Sequence, residues 1–163
     1  MQEAYPYFEE AITAADTNIK VSALYWKAET DFQLSNFQKS LDGFTTFKKT
    51  AGASQIDAYK NIDYTIAYSY FKLKEYTKAA SAFSNFISKT NKDNPLFDDA
   101  TIRLADCYFV TKNYTNAILA YDKIIDHMFA KHKKLRVSTY NRYLYHLGIF
   151  GTSCVKVHAG DIV

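Results

Sequence analysis

Small and large apolar positions recur along the first 126 residues at a fixed interval. "NFQKSLDGF" (36–44), "EYTKAASAF" (75–83) and "NYTNAILAY" (113–121) each hold an aromatic, a small residue three places on, and a large ring four places further. Aligned on Phe37, Tyr76 and Tyr114, the phrases are offset by 39 and 38 residues. Upstream of each lies a second matching stretch with Ala28, Ala67 or Ala105 followed four residues later by Phe32, Phe71 or Phe109. A spacing of four places two side chains on one helix face. Each unit is therefore expected to be two antiparallel helices joined by a very short turn, and the array a stack of such hairpins. The pattern predicts helices at about 3–14, 18–34, 37–50, 55–73, 76–89, 95–111 and 114–127.

The sizes of the side chains explain the recurrence. Two helices approach closely only where residues are small, so Ala28 is expected opposite Ser40, Ala67 opposite Ala79, and Ala105 opposite Ala117. One turn along, Phe44, Phe83 and Tyr121 supply the bulk that interdigitates with the neighbouring layer. Helix starts are marked by Asp16 or Thr17, by Ser54 with Asp57, and by Asn94, Pro95, Asp98 and Asp99. At the beginning, Ala4, Phe8 and Ala11 repeat the spacing of a second helix, with Pro6 tolerable in its first turn. A leading half-unit at 3–14 is expected, its missing partner suggesting a fragment of a longer array with an exposed apolar end open to self-association.

Composition sharpens this picture. Five Gly and two Pro in 163 residues leave little turn material, which favours long helices over many short strands. Aromatic residues reach 17%, with 14 Tyr and 12 Phe. Cys107 and Cys154 lie far apart and form neither a disulfide framework nor a zinc spacing. No apolar run is long enough to span a bilayer. Charge divides the chain: the residues up to Asp126 are slightly acidic, whereas all four His and six Lys and Arg against one acid follow it. Residues 1–126 are therefore read as the array, with units at about 21–54, 55–94 and 95–127, and 127–163 as an atypical basic tail. In the tail, Ser138 is positioned to cap "TYNRYLYHLGIF", with Tyr140, Leu144 and Leu147 on one side. A capping helix on the third unit, an altered end, and a basic contact for an acidic partner all remain open.

"IAYSY", "LADCY", "AASAF" and "AILAY" resemble the tetratricopeptide repeat family over roughly residues 20–126. Departures are Asp31 in place of Tyr, Ser40 in place of Ala, the displaced Trp26, and a period longer than the family's usual length of about 34 residues. The long period and "FSNFISKTNKDNPLFDDATIRLADCYF" resemble the subgroup of bacterial cell-envelope proteins, which implies the periplasmic side of the envelope. The resemblance implies an all-α, right-handed superhelical solenoid of about three repeats plus a leading half-repeat. It further implies a non-catalytic scaffold that binds a protein or peptide in the concave groove lined by the first helices. Its inner-face candidates are Tyr25, Glu29, Phe32 and Gln33, then Tyr64, Tyr68, Phe71 and Lys72, then Ile102, Asp106, Phe109 and Val110. Tyr25, Tyr64 and Tyr68 are the strongest, because Tyr combines apolar area with a hydroxyl at low entropic cost. The family's grip on a peptide carboxylate needs cations where this chain has Tyr, Glu and Asp, with only Arg103 nearby, so that mode is not expected.

Nothing in the chain points to catalysis. His127 and His132 are five apart and share no helix face well, and no glycine-rich phosphate loop occurs. Cys107 sits among apolar residues as a core thiol, and Asp98 and Asp99 read as helix-start charges. "AKHKKLR" is a single basic run, read as a solvated helix end rather than a nucleic-acid site. No cofactor or metal is expected. Two alternatives stand beside the scaffold: a structural or oligomerisation segment without its own ligand, and the targeting arm of a larger enzyme. Accessible Tyr64 and Tyr68 favour binding; burial of both against the chain favours the structural role.

Overall fold

A computed structural model describes residues 2–131 of the chain. Seven α-helices are present among the described residues: α1 (Tyr5–Ile12), α2 (Thr17–Gln33), α3 (Phe37–Lys49), α4 (Ile62–Lys72), α5 (Tyr76–Lys89), α6 (Phe97–Val110) and α7 (Tyr114–Lys131). No strand occurs among them. Successive helices pack on one another, so α2 with α3, α4 with α5, and α6 with α7 form three hairpins, and α1 lies against α2. The fold is an all-α solenoid of the tetratricopeptide-repeat type. The expectations for 132–163, including a helix after Ser138, lie outside the described residues.

The predicted close approaches lie in the core. Ala67 and Ala79 are fully buried in one apolar cluster with Phe83 and Phe86. Ala105 and Ala117 are equally buried in another with Tyr121 and Ile124. The first hairpin achieves the same proximity differently. A methyl group on Gly43 would stand only 2.7 Å from the Ala28 Cβ. Gly43 thus allows the contact between α2 and α3, and its equivalents Ala82 and Ala120 keep the position small. Ser40, expected opposite Ala28, is fully buried, and its Oγ meets no hydrogen-bond partner among the described residues.

Each hairpin turns in the same three-residue manner. Ser35, Lys74 and Lys112 take left-handed φ values of 64°, 62° and 61°. Around Ser35, its N–H donates to the Phe32 carbonyl and the Asn36 N–H to the Asp31 carbonyl. Lys74 with Glu75, and Lys112 with Asn113, repeat both bonds onto Phe71 and Tyr70, and onto Phe109 and Tyr108. This double closure satisfies the last carbonyls of the helix. It usually recruits glycine, which suffers no Cβ clash in this conformation; here three L-residues occupy it.

Helix starts differ from expectation in three places, at α4, α6 and α1. The stretch expected to begin α4 at 55 forms 3-10 turns at Ala53–Gln55 and Asp57–Asn61, with Ile56 extended between them. Neither turn has a side-chain cap, so Ser54 and Asp57 do not start the helix. Burial explains the detour. Ala53 enters the first hairpin's core beside Val21 and Phe47, with Ile56 and Tyr59 packed against it, and this tertiary packing overrides the local start signal. At α6, Asn94 accepts from the Leu96 N–H at 2.9 Å while its amide reaches Asn61 and Thr90. Asn94 therefore ties the turn to Asn61, the residue just before α4, and the helix begins at Phe97, after Pro95. Asp16 does cap α2, its Oδ1 accepting from the N–H groups of Asn18 (2.7 Å) and Ile19 (3.2 Å). α1 starts later than expected, Ala4 lying in a 3-10 turn before it.

Three stability effects follow from the packing and the turns. Ser40→Ala is expected to raise the denaturation midpoint, gaining about 1 kcal/mol by removing an unpaired buried hydroxyl. Gly43→Ala, in the same helix, is expected to lower it by about 1–3 kcal/mol because the new methyl meets the Ala28 Cβ. Lys74→Gly is expected to stabilise by about 0.5–1 kcal/mol, the relief of left-handed strain exceeding glycine's entropy cost. Equilibrium urea unfolding of each variant measures all three effects.

Candidate functional site

The first helices α2, α4 and α6 stand side by side, and equivalent positions form rows across them. The rows differ in how far the chain itself has used them. Phe32, Phe71 and Phe109 each meet the ring that opens their own hairpin's second helix: Phe37 at 5.3 Å, Tyr76 at 5.6 Å and Tyr114 at 5.7 Å between centroids. That row therefore closes hairpins. Tyr25 packs on Phe44 (5.7 Å) and Phe47 (5.4 Å), and Tyr64 on Phe83 (6.0 Å) and Phe86 (5.6 Å). Ile102 packs on the cluster of Ala117, Tyr121 and Ile124. This second row is half core as well.

Tyr64 is committed further. Its hydroxyl donates to Asp99 Oδ2 of the next unit at 2.7 Å. Burial, then the bond to Asp99 and its charge, push the phenol well above its usual range, so it stays a neutral donor. Asp99 also faces Arg103, whose Nε lies 3.5 Å from Asp99 Oδ1 and whose Nη1 donates to Asp106 Oδ2 at 3.1 Å. Asp106 Oδ1 accepts from the Tyr121 hydroxyl at 2.5 Å. Tyr64, Asp99, Arg103, Asp106 and Tyr121 thus form one polar chain that joins the second unit to the third. Both oxygens of Asp106 are occupied within the protein.

Tyr68 sits where the units converge. Its ring lies 6.0 Å from Phe32 of the preceding unit, 6.0 Å from Phe71 and 6.3 Å from Phe83. The Arg103 guanidinium of the following unit stands 5.8 Å from it and Lys72 Nζ 5.5 Å. Its hydroxyl meets no hydrogen-bond partner among the described residues, and the side chain is half-buried. Lys72 and Val110 are exposed, as is Gln33, whose amide donates to Glu29 Oε1 at 2.9 Å. Trp26 is 55% exposed and rests edge-on against Tyr25 at 5.2 Å.

The sequence motifs brought Tyr25, Tyr64, Tyr68 and the three Phe to one wall, but they did not single out Trp26, Asp99 or Arg103. A signal existed for two of these. Trp26, Thr65 and Arg103 occupy one position in phase, directly after the row of Tyr25, Tyr64 and Ile102. Following every position of the first helix, rather than those around the small Ala alone, finds them.

The titratable groups among the described residues serve packing and pairing. Among the described residues no three His, Cys, Asp or Glu side chains converge as a metal site. Cys107 is fully buried, and burial, with the nearby Asp106 charge, pushes its thiol up to about 12, leaving little nucleophilic thiolate. His127 pairs with Asp98 at 2.8 Å and lies edge-on to Phe97 at 5.3 Å, tying α7 to the start of α6. Two open grooves, of 420 and 310 Å³, lie off the wall. One is lined by Leu41, Thr45 and Tyr70 and the other by Ala80, Ser84 and Tyr108, among others. No helix among the described residues is long and apolar enough to cross a membrane.

At the first interface, Asp31 is 3% exposed and accepts from the Tyr5 hydroxyl at 2.8 Å. Its equivalents are Tyr70 and Tyr108. There α1 supplies the phenol and α2 the carboxylate, so the departure at Asp31 is matched by its neighbour. Burial, with the Asp31 bond and charge, raises the Tyr5 phenol from 10.0 to about 12. The folded state thus holds this proton more tightly than the unfolded one. The stabilisation is full below about pH 10 and lost as pH rises through about 12. Tyr5→Phe is expected to cost about 1.5–3 kcal/mol of α1 docking at neutral pH and to remove that alkaline loss. Amide exchange in residues 5–12, followed between pH 7 and 12, checks both.

Comparison with known proteins agrees with this architecture. Residues 64–130 match the family model of the tetratricopeptide repeat. No curated protein matches the chain.

Proposed function

We propose that this chain, whose residues 64–130 match the tetratricopeptide repeat, is a non-catalytic scaffold that binds a protein or peptide segment along the wall of α2, α4 and α6. Tetratricopeptide repeats generally mediate protein–protein interaction and are generally non-catalytic. The observation that carries the reading is the uneven commitment of the wall's aromatics. Trp26 is 55% exposed, and the Tyr68 ring lies under Arg103 and Lys72 while its hydroxyl meets no partner among the described residues. A rigid aromatic with one polar end is well suited to anchor a partner at small entropic cost. Mixed charge around them, from Glu29, Lys72 and the paired Arg103, favours a segment carrying both apolar and polar residues over a purely charged one.

Tyr64 and the row of Phe32, Phe71 and Phe109 support the second reading, a structural segment, because their rings and the Tyr64 hydroxyl are engaged within the chain. The two readings therefore divide the wall by residue. The period of 38–39 residues supports a place on the periplasmic side of a bacterial envelope, which fractionation of source cells examines.

Trp26→Ala combined with Tyr68→Ala is expected to weaken the partner complex at least ~10-fold, the loss typical of truncating a buried aromatic anchor. The variant should keep the wild-type helical circular dichroism. Co-purification from source cells supplies the partner, and calorimetric titration compares the affinities. An identical partner set with unchanged affinity would leave the structural reading standing.

A further inference from the structure

Tyr25 and Trp26 meet with their ring planes 79° apart, so the two rings form a corner. Glu29 follows Trp26 by three residues and Tyr25 by four, the spacings that put side chains on one helix face. Its charge reaches the corner: burial, then Glu29, raises the Tyr25 phenol above its usual range. Glu29 Oε1 accepts from the uncharged amide of Gln33, and no Lys or Arg among the described residues pairs with the carboxylate. The flanking charges on α2, Lys27 and Asp31, are engaged with Glu9 and Tyr5 of α1.

Elsewhere the chain supplies such sites with its own cations. Lys27 lies over Tyr5 at 4.9 Å and pairs with Glu9. Lys78 lies over Tyr70 at 5.7 Å and pairs with Glu75. Arg103 lies over Tyr68 and pairs with Asp106. The third unit is the closest comparison, because Arg103 and Asp106 occupy the positions equivalent to Trp26 and Glu29. There a guanidinium meets the carboxylate at 3.1 Å. The first unit keeps the carboxylate and replaces the guanidinium by an indole, the ring that attracts cations most strongly.

We propose that the corner of Tyr25, Trp26 and Glu29 receives an arginine side chain of the bound segment, its guanidinium flat on the indole and its charge against the Glu29 carboxylate. The inference rests on the scaffold reading in taking that arginine from the segment held along the wall. Arginine suits the corner better than lysine, since its planar, weakly hydrated guanidinium stacks on a ring while its N–H groups still reach an oxygen. An aliphatic side chain covers the indole but leaves the Glu29 charge without a cation.

Trp26 is the single tryptophan of the chain, so its emission reports this corner alone. The full chain is titrated with the end-blocked tripeptide Gly-Arg-Gly and with its norleucine and lysine counterparts. A saturable emission change is expected with the arginine peptide, at a Kd at least ~5-fold below that of the norleucine peptide. In Glu29→Gln, with unchanged helical circular dichroism, that preference should vanish. Equal affinities for arginine and norleucine, no saturable change with arginine, tighter binding of lysine, or a preference that survives Glu29→Gln each overturns the proposal. The co-purified partner separates this inference from the scaffold reading. Weakening of that complex by Glu29→Gln, as by Trp26→Ala with Tyr68→Ala, is expected. A complex weakened by the double variant yet untouched by Glu29→Gln overturns the arginine assignment and leaves the scaffold standing.

Discussion

Everything in this fold depends on two helix backbones being allowed to approach at one point per hairpin. Ala67 with Ala79 and Ala105 with Ala117 provide that point by having almost no side chain. Ala28 and Gly43 provide it more tightly, with no room for a second methyl. Once the backbones meet there, Phe44, Phe83 and Tyr121 have nowhere to go except between layers, where all three are buried. The approach also dictates the turn. Three residues must reverse the chain over a short gap, and one of them must go left-handed. Ser35, Lys74 and Lys112 accept that strain because each turn recovers two carbonyl bonds.

Within hairpins the apolar contacts repeat, but the polar links between units do not. Tyr5 reaches Asp31 at the first interface, Lys48 pairs with Asp63 at the second, and Tyr64 reaches Asp99 at the third. Each solution uses different positions for the same purpose, since a polar group at a half-buried seam needs a partner. Hydrophobic packing is non-directional and tolerates repetition, whereas a hydrogen bond requires two particular atoms. The interfaces can therefore diverge while the hairpins stay alike.

That difference also governs how much was legible in the sequence. The hairpin positions were, because size recurs in phase and size alone decides whether helices can approach. The left-handed turns were not: the usual mark is glycine, and Ser and Lys give no sign of a positive φ. The late start of α4 was hidden because Ser54 and Asp57 form a plausible local start signal, whereas Ala53 is drawn into a core assembled from distant residues. Asp31 read as a flaw in the motif only while Tyr5 was unseen. For the wall, the sequence identified which residues share a face. It could not divide them by use, since whether a Tyr hydroxyl is free depends on a carboxylate 35 residues away.

The division of the wall follows from geometry along the helix. A side chain one step toward the hairpin's partner helix, as with Tyr25 and Tyr64, meets the second helix and becomes core. A step in the other direction, as with Trp26, leaves the ring in the open. Tyr68 lies between these directions, close to Phe83 on one side and to Arg103 on the other. Its ring helps hold three units together, and its hydroxyl meets no partner among the described residues. In the proposed scaffold role, an aromatic with both duties would couple ligand contact to the relative placement of units, because a shift of α6 moves Arg103 against the ring. Arg103 is in turn fixed by Asp99 and Asp106, and Asp99 by Tyr64. The residues already engaged within the chain thus hold the free ones in position, which is the preorganisation a binding surface needs to limit its entropic cost.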